Sequence, residues 1–291
     1  MFGVTVVTAS AATKLHNLTM KTAPPQTLDV SASHLDTNKQ PGHWLLANLG
    51  KRVLRPGGLE VTRQLIAHLR PASEDDVVEF APGLGVTARM ILANQPRSYL
   101  GVEREEAVAH RLRSELAKPN VRFIHASAES TALAPHSASL VYGEAMLSMQ
   151  TPEQKGRIVA EAFRLLKPGG RYGIHELAIL PDDIDDSTRK AIEREMSMNI
   201  HVGVRPATIS EWRRILEGAG FQLDWQILAP MHLLEPKRIL SDEGIGGVLR
   251  ITFNLLRKPQ ARRRVLSMRR IFHRYASHFS AVAIVCVKPG V

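Results

Sequence analysis

The sequence predicts an α/β fold: a seven-stranded, mostly parallel sheet with helices on both faces and a helical cap. Three observations carry this. Between residues 76 and 180, short apolar runs alternate with stretches whose apolar residues recur at helical spacing, the pattern of repeated strand–helix–strand units. The first run ends in a turn of small residues, Ala81-Pro82-Gly83-Leu84-Gly85, which opens directly into a helix. A chain of 291 residues, 44% apolar and 23% charged, can bury such a sheet as one large unit.

Residues 1–40 are rich in Ala, Thr, Ser and Pro and are read as an irregular arm. Residues 41–291 form the domain, with 183–220 and 236–277 expected as helical cap insertions. Helices are expected at 43–54 and 59–69, separated by Arg55-Pro56-Gly57-Gly58. Strands at 76–80, 98–103, 121–126 and 140–146 follow, with helices at 86–94 and 105–118 between the first three. A helix at 151–166 is broken by Lys167-Pro168-Gly169-Gly170 before a fifth strand at 171–180. Two helical pieces fill 183–220, the second opening at Thr208-Ile209-Ser210-Glu211. A sixth strand at 221–228 and a seventh at 281–287 enclose two basic helices at 236–277.

Charge is distributed unevenly. The formal net charge is +10, and residues 244–291 hold ten Lys or Arg and no acid. The excess is therefore local to one segment. The segment 260–277 places Val265, Met268, Ile271, Phe272 and Tyr275 at helical spacing among its arginines. It is read as a substrate-side cap with a solvated basic face. Peripheral membrane contact through 246–277 and binding of nucleic acid are the alternatives, nucleic acid the less favoured because aromatic residues are sparse. The single cysteine, Cys286, excludes an internal disulfide, and the twelve scattered histidines show no metal-site spacing, so no metal is expected. The leader MFGVTVVTASAA lacks a preceding basic residue and is a poor secretory signal; a cytoplasmic protein is expected.

The segment from Val77 to Gly85 is where chemistry is expected. Small residues at the turn let a ligand approach the backbone, and the helix presents free N–H groups to it. Glu79 ends the first strand, where a carboxylate can meet an ammonium group. Glu103 ends the second, where an acid can take the two hydroxyls of a ribose. Gly83-Leu84-Gly85-Val86-Thr87-Ala88 also fits G-x-G-x-x-A, so a nicotinamide dinucleotide is a competing ligand.

Across residues 59–288 the chain resembles the class I S-adenosylmethionine-dependent methyltransferases, which have a Rossmann-like sheet. The run from Glu79 to Gly85 is similar to their glycine-rich motif, with Ala81 replacing the first glycine. Glu103 in Gly101-Val102-Glu103 matches the ribose acid, and Leu165-Leu166-Lys167-Pro168-Gly169-Gly170 matches the turn before the fifth strand. The resemblance implies S-adenosylmethionine as cofactor, bound by Glu79, Ala81, Gly83, Gly85, Glu103, Ser127 and Ala128. Ser127 stands where the family often has an acid for the adenine amino group. The reaction implied is methyl transfer to an O, N or C atom of a small, lipophilic or anionic molecule. The alternatives are an RNA methyltransferase or RNA-binding protein using the basic segment, and an NAD-dependent oxidoreductase. Glu144, His175 and Glu176, near the carboxyl ends of the fourth and fifth strands, are the candidate catalytic residues. His43 and Trp44 are expected to pack, with covering the cofactor as the second reading.

Overall fold

The sheet is ordered β3-β2-β1-β4-β5-β7-β6 in the computed structural model, which describes residues 40–290. Apart from Gln40, the expected N-terminal arm lies outside the described residues. The strands are β1 (Asp76–Phe80), β2 (Ser98–Glu103), β3 (Val121–His125), β4 (Ala138–Glu144), β5 (Leu166–Ile179), β6 (Gln222–Pro230) and β7 (Phe279–Val287). The first five are mutually parallel; β7 is antiparallel to both its neighbours. This is the expected seven-stranded, mostly parallel Rossmann-like architecture.

Apolar periodicity decides which helix covers which face. On one side α5 (Pro152–Leu165) and α7 (Ile209–Gly218) bury Ile158, Val159, Ala162, Trp212 and Leu216 against Val141, Ile174 and Ile284 of the sheet. On the other, α2 (Gly58–Leu69), α3 (Val86–Leu92) and α4 (Glu106–Leu116) bury Leu65, Leu69, Ile91 and Leu112 against Tyr99, Leu140 and Ala283. Both α5 and α7 start at a reciprocal cap: Thr151 with Gln154, and Thr208 with Glu211.

The cap is made by α1 (Gly42–Asn48), α6 (Asp186–Ile200), α8 (Pro236–Arg257) and α9 (Pro259–Arg274). Leu45, Leu46, Ala261 and Met268 form one of its small cores; Ile192, Met196, Met231 and Ile271 form another with the end of β5. Two expectations change. The second helix of 183–220, α7, is a sheet helix rather than part of the cap, because Trp212 and Leu216 are buried in the main core. The first helix stops at Asn48 rather than 54, because Gly50 adopts φ +99 and the chain runs on without helix to Arg55. No described helix is long and apolar enough to cross a membrane.

Candidate active site

A cavity of about 560 Å³ opens where the parallel strands end. That size lies within the range of about 300–1,000 Å³ usual for small-molecule sites. Its floor comes from the turns after β1, β2, β3 and β4, its roof from α1, α6 and α9. Glu79, Ala81, Gly83, Glu103, Ser127, Ala128, Glu144 and Glu176 all line it; Gly85 and His175 do not.

The turn after β1 explains part of this division. Ala81 and Gly83 have φ +55 and +53. A Cβ built on Gly83 would meet nothing nearer than a carbonyl oxygen at 3.8 Å, so this glycine leaves cavity space open. Gly85 also needs its freedom, at φ +69, but its Cβ would press on Leu112 at 2.8 Å. It starts α3 and lets α4 close on the turn. Ala81 holds the left-handed conformation at a cost of about 1–2 kcal/mol that glycine would avoid.

Glu79 and Glu103 are both buried. The hydroxyls of Tyr142, at 2.6 Å, and Tyr99 both donate to Oε2 of Glu79. Burial nevertheless lifts its carboxyl to about 7. Glu103 accepts from the backbone N–H of Gly83 at 3.2 Å and of Glu105 at 3.1 Å, so it ties the first turn to the second; burial raises its pKa too. Ser127 accepts the N–H of Glu129 at 3.2 Å, while Glu129 is held by Gln154 and Arg157.

The titration of Glu79 makes stability depend on pH. Its folded pKa lies above the usual 4.5, so its favourable contribution is full below about 4.5 and lost as pH rises through 7. Glu79→Gln is expected to melt higher than the parent at pH 8, by the equivalent of roughly 3 kcal/mol at most. The difference should vanish below pH 5. Melting curves at both pH values check this, and a pH-independent difference would reject a raised Glu79.

The three catalytic candidates are each held by hydrogen bonds within the protein. Glu144 accepts from Thr62 Oγ1 at 2.7 Å, from Thr87 Oγ1, from the Arg55 guanidinium and from His175 Nδ1 at 2.8 Å. Burial pushes its pKa up, but Arg55, His175 and Thr87 outweigh burial and hold it at about 2. So acidic a group is a weak base. His175 is fully buried, with Nε2 2.6 Å from the Pro56 carbonyl and Nδ1 facing Glu144. Glu176 accepts from the N–H groups of Met146, Leu147 and Ser148 and from the Ser148 hydroxyl, at 2.7–3.0 Å. It clamps the loop after β4, and burial raises its pKa.

Sequence reasoning missed Arg55, Thr62 and Thr87, the partners of Glu144. It also undervalued His43, which lines the cavity with Nδ1 buried and without a hydrogen bond. Burial lowers its pKa to about 4, so the ring is neutral. The rest of the roof is apolar: Leu46, Met196, Ile200, Met231, Met268 and Phe272. No cluster of three or more metal-ligating side chains occurs among the described residues.

The chain is similar to known proteins. A methyltransferase-domain family model matches residues 77–170. An uncharacterized protein of Haemophilus influenzae is 33% identical over 248 residues, covering 83% of this chain and 96% of its own. Among solved structures, the Haemonchus contortus phosphoethanolamine N-methyltransferase 2 bound to phosphomonomethylethanolamine and S-adenosylhomocysteine superposes with a TM-score of 0.65 at 14% identity, over 89% of this chain and 59% of that one. Geranyl diphosphate methyltransferase with its substrate and sinefungin gives 0.57 at 15%, over 79% and 77%. The [4+2]-cyclase SpnF gives 0.60 at 14%, over 80% and 81%.

Proposed function

We propose that the chain, which matches a methyltransferase-domain model at residues 77–170 and has a Rossmann-like seven-stranded sheet, is a class I S-adenosylmethionine-dependent methyltransferase that methylates an O, N or C atom of a small lipophilic molecule held beneath the cap. The observation that carries this reading is one cavity with two unlike halves. A polar floor is formed by Glu79, Gly83, Glu103 and Ser127, and an apolar roof by Met196, Met231, Met268 and Phe272.

The floor suits the cofactor, because Gly83 leaves space and two buried carboxylates point acceptors at it. Glu79, with Oε1 outside its tyrosine bonds, takes the amino group; Glu103 takes the ribose hydroxyls; Ser127 and the backbone of Ala128 meet the adenine edge. His43 Nδ1 supplies a further hydrogen-bonding atom from the roof. S-adenosylmethionine brings a sulfonium-activated methyl carbon, so the protein's task is to bind, orient and exclude water. Glu144 fixes Arg55 and the start of α3 and is a positioning residue. With Glu144 and Glu176 committed elsewhere, the acceptor must be nucleophilic without help, through a lone pair on O or N or the π electrons of an alkene or enol carbon.

An apolar substrate is favoured over an anionic one. Arg55 is neutralised by Glu144 and Arg52 by Glu243, so two of the arginines lining the cavity already have carboxylate partners. The small-molecule enzyme is a domain of residues 41–291, with α6, α8 and α9 as the substrate-side cap. Calorimetric titration with S-adenosylhomocysteine should show one site, and NAD should show none. Transfer of labelled methyl from the cofactor should then mark solvent-extractable acceptors in preference to water-soluble anions. Label confined to water-soluble anions or RNA would overturn the substrate class.

A further inference from the structure

We propose that the outer face of α8, with the start of α9, docks the enzyme onto an anionic membrane surface. The chain is anchored just before the break at Gly244, which adopts φ +69 and ψ 176 inside α8. Buried Asp242 accepts the N–H of Leu59, and buried Glu243 accepts those of Arg52 and Val53. Beyond the break, Arg250 donates to the Gly50 carbonyl and Asn254 to that of Leu49, while Gly247 and Ile251 are buried. These four positions fall on one side of the helix and fix it against α1 and its loop.

The opposite side follows from that anchoring. Ile245, Leu249, Phe253 and Leu256 lie within one narrow arc, and they are 72%, 65%, 55% and 66% exposed. The exposed face is therefore apolar. Single exposed apolar residues are ordinary, but a continuous stripe of four large ones marks an interaction site.

Charge selects the partner. The stripe ends at Arg257, whose guanidinium lies over the Phe253 ring at 5.2 Å. Lys258 and the exposed Arg262, Arg263 and Arg270 follow, with Leu266, 51% exposed, among them. Residues 244–291 contain no acid to oppose them. Apolar side chains rimmed by arginine match a surface with negative headgroups above hydrocarbon. Of the four stripe residues Phe253 alone offers an aromatic platform for stacking bases, which disfavours RNA.

The test needs no methyl donor and is therefore independent of the catalytic reading. The full chain is sedimented with vesicles of equal parts phosphatidylglycerol and phosphatidylcholine, and with phosphatidylcholine alone. Binding to the anionic vesicles at physiological salt, and little to the neutral ones, is expected. Leu249→Glu combined with Phe253→Glu should weaken it by about tenfold or more, as should Arg262→Gln, Arg263→Gln and Arg270→Gln together. Melting temperature and S-adenosylhomocysteine affinity should hold in both variants, because none of these residues lines the cavity. Absence of vesicle binding, or binding unchanged in both variants, would overturn the proposal. So would a dimer that the glutamate variant dissociates, or RNA retention lost in the arginine variant without vesicle binding.

Discussion

Glu144→Ala is expected to destabilise the protein by about 3–5 kcal/mol, the usual consequence of removing one partner from a buried ion pair. The loss strands the Arg55 guanidinium and the His175 ring, both buried, and leaves Thr62 and Thr87 without their acceptor. In a domain of this size the melting temperature should fall by roughly 6–20 °C. Glu144→Gln keeps an acceptor but not the charge, and should fall less. The sign with pH is opposite to that of Glu79. The folded pKa of Glu144 is lowered to about 2, so its contribution is full above 4.5 and lost as pH falls through 2. The gap between parent and glutamine variant should accordingly narrow below pH 4.5. A glutamine variant that melts normally yet loses about a hundredfold or more in turnover would restore Glu144 as a base.

The second large effect concerns the cofactor. Glu103→Ala should weaken S-adenosylhomocysteine binding by about 1.5–3 kcal/mol, the worth of hydrogen bonds to a charged group. Calorimetry reads this as a loss of roughly ten- to a hundredfold. The same substitution frees the N–H groups of Gly83 and Glu105, so the turn loosens as the ribose contact goes. Glu103→Gln retains one acceptor and should fall between the two. Unchanged affinity in a folded alanine variant would remove Glu103 from the site.

Much of this was legible in the residues, for identifiable reasons. The strands at 76–80 and 98–103 are found where they were expected, because each apolar run ends at a sharp turn. The run Thr208-Ile209-Ser210-Glu211 marked the start of α7 directly. The alternation of strand faces correctly separates His175 from Glu176: one faces Pro56 and Glu144, the other the loop after β4. What each side chain meets there was not legible. Arg55 reaches Glu144 across 89 positions, and no local period encodes such a pairing. Gly85 was misplaced for a related reason. A glycine serving a ligand and one serving Leu112 look alike until α4 is in position. The outward apolar face of α8 was hidden because the break at Gly244 and the anchors before it set the rotation of the helix.

The place of β7 has a bearing on how the polypeptide reaches this state. In chain order it follows the other described strands, yet in space it lies between β5 and β6, and among the described residues β6 pairs with nothing else. A ribosome delivers the chain from its N-terminal side, so β1 to β5 can assemble while 279–287 are still unmade. During that interval β5 has an open edge and β6 has no ladder at all, and α8 with its apolar stripe has already emerged. The nascent chain is thus most exposed to wrong association late in synthesis, after most of its sheet has formed. Pairing of β7 covers the open side of β5 and gives β6 its ladder in one step.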